Sequence, residues 1–565
     1  MWRTVRRLVA VGFISVSEWI LARFGRRKPY GVLTVELAGD IAEDGTEQRL
    51  FGFLRRQTSD YLGLVTLLRW ARDDANLVGV LIRVDDLDAN WARLQGLRRS
   101  IERLRAAGKR VWVHLERAGV REYYLASAAE QISLTPAATL DVTGLSSEAV
   151  FVFDALEKIG IRADVVQMGR YKSAGEMFTR RDMSAPHREM LESLVEDLYA
   201  QLAEAVATGR NLDPALLRDL LGRGPFVPSE ARELGLIDAI GHADELEKRL
   251  VDACGGAATI DRTAYGVRRG RAMRRDTLRR QRAAFALLHI GGTIKPGESV
   301  PGLGGARATG SATVAAALEQ VRKRDDINAL IVRVASPGGS VLGSDLIWRE
   351  LARTRETKPV IVSFGDVAAS GGYYVALAGN SVLAEAGTIT GSIGVIAGRA
   401  SLRGLYDRIG VSKTLISRGR NAALYSDYAE LDDEGRARIH VQAESFYRDF
   451  VAKVASARGL STDAVGAVAE GRVWTGRQAL ERGLVDELGG LEEAFAAAKR
   501  AANLAADEPV SVERFPKPRR LWKVSVDLNL PNQGAFADLL GAIPSLRFLL
   551  RERVWAVLPF HLRFF

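Results

Sequence analysis

The sequence predicts an α/β protein written twice, each half a mostly parallel sheet covered by helices. The first observation is an internal repeat: residues 77–169 return as residues 327–419, a shift of 250 positions. VGVLIRV (Val78 to Val84) falls on NALIVRV (Asn328 to Val334), EYYLASA (Glu122 to Ala128) on GYYVALA (Gly372 to Ala378), and KIGI (Lys158 to Ile161) on RIGV (Arg408 to Val411). The second is the run of short β-rich segments that are apolar on both faces, the mark of parallel strands covered on each side. The third is the set of intervening segments in which apolar residues recur three and four apart, the helical period.

Taken in order, LTVEL (Leu33 to Leu37) and AFALLHI (Ala284 to Ile290) open the copies as buried strands. VGVLIRV and NALIVRV come next, then VWVHL (Val111 to Leu115) and VIVSF (Val360 to Phe364). Thr313 to Arg324 and Gly343 to Glu356 are helical segments between strands of the second copy. Right-handed crossovers are expected between the parallel strands. ARELGLIDAIG (Ala231 to Gly241) and ALERGLVDELG (Ala479 to Gly489) close the two repeats.

A chain of 565 residues exceeds a single core, and a repeat of roughly 220 residues is a natural domain size. The expected division is an N-terminal anchor or amphipathic helix (1–29), a first repeat (30–251), a basic linker (252–283), a second repeat (284–502) and a basic amphipathic tail (503–565). With 47% hydrophobic and 26% charged residues, the chain has the apolar surface for packed cores. The single cysteine, Cys254, excludes an intramolecular disulfide framework and a Cys-rich metal site.

The net charge of +10 is patchy, concentrated in RRGRAMRRDTLRRQR (Arg268 to Arg282) and at the two ends. Such a stretch reads first as a solvated helix face or linker, then as a surface for anionic lipid. No zinc-finger, RNA-recognition or helix-turn-helix signature accompanies it, so no nucleic-acid partner is expected. The run Leu8 to Phe24 follows three arginines and precedes another cationic cluster, with no small-x-small cleavage site behind it. It is 17 residues long and contains Glu18 and Arg23, so a membrane-spanning anchor and an interfacial amphipathic helix both fit. At the other end, Ser545 to Phe565 interleaves Leu, Trp and Phe with Arg on a helix-compatible spacing broken by Pro559, which suits an amphipathic helix docked on lipid or protein.

The chemistry is concentrated in Gly-rich segments of the second copy. SPGGSV (Ser336 to Val341) follows a strand, and the adjacent Gly338 and Gly339 let backbone N–H groups approach a ligand, a candidate oxyanion loop. GDVAASGGYYVALAGN (Gly365 to Asn380) places Ser370 at the start of a helical run, where the Gly371 N–H and the helix dipole favour developing negative charge. GTITGSIGV (Gly387 to Val395) places Ser392 on a loop between glycines. Two glycine loops after successive parallel strands lie at the carboxyl edge of the sheet, where open α/β folds bind ligands.

A serine nucleophile needs a base, and none of the six histidines sits in a Gly-rich loop. Lys172, in QMGRYKSAGEMFTR (Gln167 to Arg180), is the better candidate, because a desolvated lysine loses its proton and can then accept one from a hydroxyl. The repeats differ at these two positions: Val120 lies opposite Ser370 and Ala422 opposite Lys172. A pair built across the two halves follows. No metal or other cofactor is expected.

GRYKSAGE around Lys172, SPGGSV, GDVAASGGYY around Ser370, GTITGSIGV and RVWTGRQALERGLVDELGG (Arg472 to Gly490) together resemble the long, tandem-repeat form of bacterial signal peptide peptidase A, a membrane-bound Ser/Lys-dyad protease. The resemblance spans roughly Gly31 to Ala502. It implies two Clp protease/crotonase-like domains of repeated β-β-α units, with Ser370 as nucleophile and Lys172 as general base. It implies an oxyanion hole from Gly338 or Gly339 with Gly371, and Ser392 orienting the lysine. It further implies a homotetramer on the outer, periplasmic face of the cytoplasmic membrane that degrades cleaved signal peptides and other apolar peptides. The tail after Ala502 is not explained by the resemblance. Two alternatives from other classes are a crotonase-like coenzyme A thioester enzyme and a non-catalytic membrane scaffold.

Overall fold

A computed structural model describes residues 30–43, 59–279, 283–300, 308–516 and 554–557. The N-terminal anchor segment 1–29 lies outside the described residues. Among those described, no helix is long and apolar enough to cross a membrane.

Two parallel sheets repeat the same strand order. The first runs Thr259–Asp261, Val32–Ala42, Gly79–Asp88, Arg110–Leu115, Gln131–Leu134, Ala239–Ile240. The second runs Ser511–Phe515, Ala284–Gly291, Ile327–Ser336, Val360–Ala369, Ser381–Ala384, Glu487–Leu488. The central strands are buried on both faces, Val80 to Ile82 and Ala329 to Val334 among them, as their unbroken apolar runs require. Short second strands and helices complete the unit: Tyr61–Arg72 and Trp91–Ala106 in the first half reappear as Ser311–Arg322 and Val341–Arg355. The fold is a tandem repeat of one α/β unit, as the internal repeat predicts.

Each repeat also carries a helix of 26 residues, Ala185–Arg210 and Asp433–Arg458. Ser184 and Asp432 cap their N-termini by accepting from the third backbone N–H beyond, and both helices stop at a left-handed residue, Asn211 and Gly459.

The structure redraws two boundaries. Thr259–Asp261 and the helix Arg262–Arg279, read from sequence as linker, belong to the first half: the strand forms the sheet edge beside Val32. Likewise Ser511–Phe515, read as tail, is the edge strand beside Ala284–Gly291. The basic residues of Arg262–Arg279 therefore belong to a helix rather than a free connection.

A third sheet joins the halves. Arg162–Met168 of the first repeat pairs antiparallel with Val395–Ser401 of the second, from Met168 opposite Val395 to Arg162 opposite Ser401. The segments at the same repeat positions, 145–151 and 412–418, form no strand. The order of this sheet is Ala308–Gly310, Thr293–Lys295, Gly338–Ser340, Val554–Val557, Val395–Ser401, Arg162–Met168. Val554–Val557 is thus a strand, where the sequence spacing of Ser545 to Phe565 suggested a helix; the rest of that segment lies outside the described residues.

Buried ion pairs lock the halves. The Arg93 guanidinium donates to Asp366 at 2.5 Å, Arg99 pairs with Glu385, and Arg333 pairs with Glu43. Arg333 also donates to Ser363 Oγ at 2.9 Å and is 2% exposed. Removing one partner of a buried pair strands the other charge, whereas exposed pairs contribute little. Glu43→Ala is therefore expected to lower unfolding free energy by about 3–5 kcal/mol, and Arg117→Ala, at the exposed Arg117–Asp85 pair, to leave it nearly unchanged, as read by urea denaturation.

Candidate active site

Ser370 ends the strand Val360–Ala369 and forms the N-cap of the short helix Gly371–Ala376. Its φ of 55° and ψ of −115° are unusual for a residue with a side chain, a strained turn of the kind that projects a functional group from a strand–helix junction. The turn is held by Ser370 N–H donating to Gly391 O at 2.8 Å and by Tyr374 N–H donating to Ser370 O at 2.8 Å.

Lys172 arrives from the other repeat. The strand Arg162–Met168 ends at Gly169, whose φ of 101° turns the chain inward. Tyr171 N–H then donates to Glu470 O at 2.8 Å, fixing the lysine against the turn Glu470–Gly471. A Cβ on Gly471 would stand 2.5 Å from Lys172 Cβ, so this position must be glycine for the lysine backbone to pack there. Arg472 donates to Glu189 at 2.6 Å and to Tyr171 Oη at 3.0 Å, tying the same turn to the long helix of the first repeat.

The amine is fully buried. Lys172 Nζ lies 2.7 Å from Ser370 Oγ, 2.8 Å from Ser392 Oγ and 2.9 Å from Ser392 O; a neutral amine accepts from the Ser370 hydroxyl and donates its two hydrogens to the Ser392 oxygens. Both Lys172 and Ser370 are 0% exposed. Burial alone drives the lysine pKa well below its ordinary value. A neutral amine has a lone pair to accept the serine proton.

The sequence candidates converge. Ser370, Lys172 and Ser392 form one hydrogen-bonded cluster, contributed by the first repeat's lysine and the second repeat's serines within a single chain. Ser392 N–H donates to Arg472 O at 2.7 Å, which holds its φ of 54°. Gly338 and Gly339 lie beside Gly371: a Cβ on Gly371 would be 3.2 Å from both Gly338 Cα and Gly339 N. The expected loop is a short strand, Gly338–Ser340, and the Gly338 N–H donates to Ser336 Oγ at 3.1 Å. Among the described histidines, His114 meets Thr135 and His187 meets Glu176. Among the described residues no His/Cys/Asp/Glu group could hold a metal ion.

Sequence reasoning missed the Ser392 carbonyl, Gly471 and the Tyr171–Glu189–Arg472 contacts. Gly471 immediately precedes the run RVWTGRQ that marks the second repeat, but nothing local shows that it touches Lys172 some 300 positions away.

The sequence pattern of peptidase family S49 matches residues 103–255 and 352–505, once in each repeat. The chain belongs to peptidase family S49. This S49 chain is 34% identical to the serine protease SPPA, chloroplastic, of Arabidopsis thaliana, over 92% of this chain and 76% of that one. It is 30% identical to Protease 4 of Salmonella typhi, over 84% of this chain and 79% of that one. A solved structure of ClpP1 from Listeria monocytogenes aligns with 37% of this chain and 94% of its own length, at 13% identity and a TM-score of 0.25. The S49 chain is a serine protease, which sets aside the thioester-enzyme and scaffold alternatives.

The buried lysine of this S49 protease ties stability to pH with a definite sign. Between its lowered native pKa and the unfolded value near about 10.4, the unfolded chain binds a proton that the native chain does not, so stability rises with pH. Lys172→Met removes that proton. Its stability relative to the parent should therefore decline as pH is raised from about 7 to about 10, as read by urea titrations; parallel curves would contradict a neutral native lysine.

Proposed function

We propose that the protein is an endopeptidase with a Ser370–Lys172 dyad that cuts apolar peptides, including signal peptides left in the cytoplasmic membrane. The observation that carries the reading is the 2.7 Å contact between a desolvated lysine amine and a serine hydroxyl held in a strained turn. Neutral Lys172 takes the Ser370 proton as Oγ attacks the peptide carbonyl. N–H groups of the Gly338–Gly339 pair and Gly371 receive the oxyanion; Gly339 is the better placed of the pair, since Ser336 engages Gly338. The protonated amine then gives its proton to the leaving nitrogen, the C–N bond breaks, and an acyl-serine remains. Water, deprotonated by the same lysine, attacks the acyl carbon and releases the acid. Ser392 orients the amine through its Oγ and its carbonyl.

The apolar preference is supported by Leu342 and Leu346, which are 58% and 44% exposed, one turn apart on the helix that follows Gly338–Ser340. Ser370→Ala and Lys172→Ala should each lower kcat by several orders of magnitude, with Ser392→Ala milder because its carbonyl remains. A fluorogenic apolar peptide reads this out. Activity should fall on the acid side as the lysine gains its proton; near-parental turnover by Lys172→Ala would overturn the dyad.

The homotetramer proposal rests on the unused halves of the seam. The ladder Arg162–Met168 with Val395–Ser401 leaves 145–151 and 412–418 without partners in the third sheet, and Ile416 is 81% exposed. The same pairing between copies, 412–418 of one against 145–151 of the next, is head-to-tail and closes as a ring. With Leu8 to Phe24 as the anchor, the ring sits on the outer face of the membrane. Ile416→Asp is expected to yield single copies by light scattering, and deletion of residues 1–29 to release the protein from membrane vesicles. An unchanged mass or retained membrane binding would refute the respective part.

A further inference from the structure

A pile of cations and aromatic rings crosses the junction of the repeats beside Lys172. Arg472 is its middle member: the guanidinium lies 4.7 Å from the centre of the Tyr171 ring and 4.5 Å from that of Trp474. Arg170 stands over Tyr171 at 4.8 Å and Arg482 over Trp474 at 3.9 Å. Cation and ring thus alternate through five side chains, two from the first repeat and three from the second. A planar guanidinium stacks on rings and also donates within its own plane, which a lysine ammonium does not. Arg472 uses both capacities, donating to the Glu189 carboxylate and to Tyr171 Oη, while Tyr171 Oη donates to Glu189 at 3.1 Å.

The two residues joined at the centre of the pile each control one side of the amine through the backbone. Tyr171 precedes Lys172 and its carbonyl accepts from Ser173 N–H at 2.8 Å, so the seat of its ring sets where the lysine stem begins. The Arg472 carbonyl accepts from Ser392 N–H at 2.7 Å. The strand that follows, Val473–Thr475, pairs antiparallel with Ile389–Gly391, and the Gly391 carbonyl accepts from Ser370 N–H. Charged groups around Tyr171 pair with one another, Arg170 with Glu470 at 2.7 Å and Arg472 with Glu189 at 2.6 Å. Beyond the lysine, Glu176 is held by Ser184 and His187. The pile therefore reaches the amine through position, since the contacts of Nζ are with Ser370 and Ser392.

The sister repeat keeps the local pairing and lacks both central residues. Aligning Ala231–Gly241 with Ala479–Gly489 puts Gly224 opposite Arg472 and Phe226 opposite Trp474, and the bridge of Phe226 to Leu140 repeats the pairing of Trp474 with Thr390. Asn421 stands opposite Tyr171. The frame folds without this guanidinium, so its presence follows the lysine rather than the fold.

We propose that Arg472 is a positioning residue: wedged between Tyr171 and Trp474, it holds the Lys172 amine in register with Ser370 and Ser392. This rests on the assignment of the Ser370–Lys172 dyad. A base displaced by about 1 Å costs about 100-fold in rate. Loosening the wedge also lets water reach Nζ, and a hydrated amine regains its proton at higher pH.

The test uses full-length chains and a fluorogenic apolar peptide. Arg472→Met and Arg472→Lys should each lower kcat about 10- to 100-fold, leave KM within about 2-fold, and move the acid limb of kcat up by about one pH unit. Tyr171→Ala should do the same, and Tyr171→Phe, which keeps the ring, should recover most of the loss. Combining Tyr171→Ala with Arg472→Met should be no worse than the more impaired single variant, as for residues that act as a unit. A kcat within about 2-fold of the parent in Arg472→Met and Tyr171→Ala overturns the proposal. A lowered kcat with the acid limb unmoved, or a loss carried by KM, overturns it as well and leaves Arg472 a structural residue. If the truncations unfold, Arg472→Lys decides alone, since parental kcat and acid limb there would show that the planar wedge is not needed. Lys172→Ala is measured alongside: near-parental turnover by it refutes the dyad and the positioning role together, whereas an inactive Lys172→Ala beside a parental Arg472→Met refutes the positioning role only.

Discussion

The antiparallel ladder between Arg162–Met168 and Val395–Ser401 is the constraint from which the site follows. It fixes the register of two distant segments to the residue, and a slip of one would turn every side chain to the opposite face. Through Gly169 and the turn at Glu470–Gly471, that register delivers the lysine stem into the core of the other repeat. Once there, the amine meets two hydroxyls and one carbonyl, and among the described residues no carboxylate hydrogen-bonds it. The same burial that costs stability in the charged state lowers the lysine pKa and so favours the neutral amine, whose lone pair can accept a proton.

Duplication explains why the scaffold is redundant and the site is not. Both sheets keep their strand order, both long helices keep their length, and even their capping logic is shared. Divergence is confined to loops at one edge. Val120 begins a helix in the first repeat, buried and without a hydroxyl, where Ser370 caps its counterpart. Residues 412–418 are exposed where their counterparts in the first repeat form the seam. Packing preserved the frame, while the buried Val120/Ser370 position and the exposed 412–418 segment both changed.

Much of this was legible in the residues. Strands such as Val80–Val84 and Val360–Phe364 follow from short β-branched apolar runs, and Ser370, Gly338, Gly339 and Lys172 stand out through glycine-rich context and through their absence from the sister repeat. What stayed hidden acts through backbone or distant register. The Ser392 carbonyl carries no side-chain signature, and Gly471 matters only because Lys172 Cβ lies against it. Thr259–Asp261 looked like linker because a three-residue edge strand has too little pattern to read. Val554–Val557 sits in a helix-compatible stretch, yet two waiting strand edges, not local propensity, decide its conformation.

Placing the amine and the alcohol on successive repeats of one polypeptide has a bookkeeping consequence. Neither repeat alone carries the whole Lys172–Ser370–Ser392 cluster, so a fragment holding one repeat cannot assemble it within its own chain. The covalent link also guarantees one buried amine for each Ser370 hydroxyl, whatever the concentration of chains. The duplicated frame thus holds half as many such clusters as it has repeats.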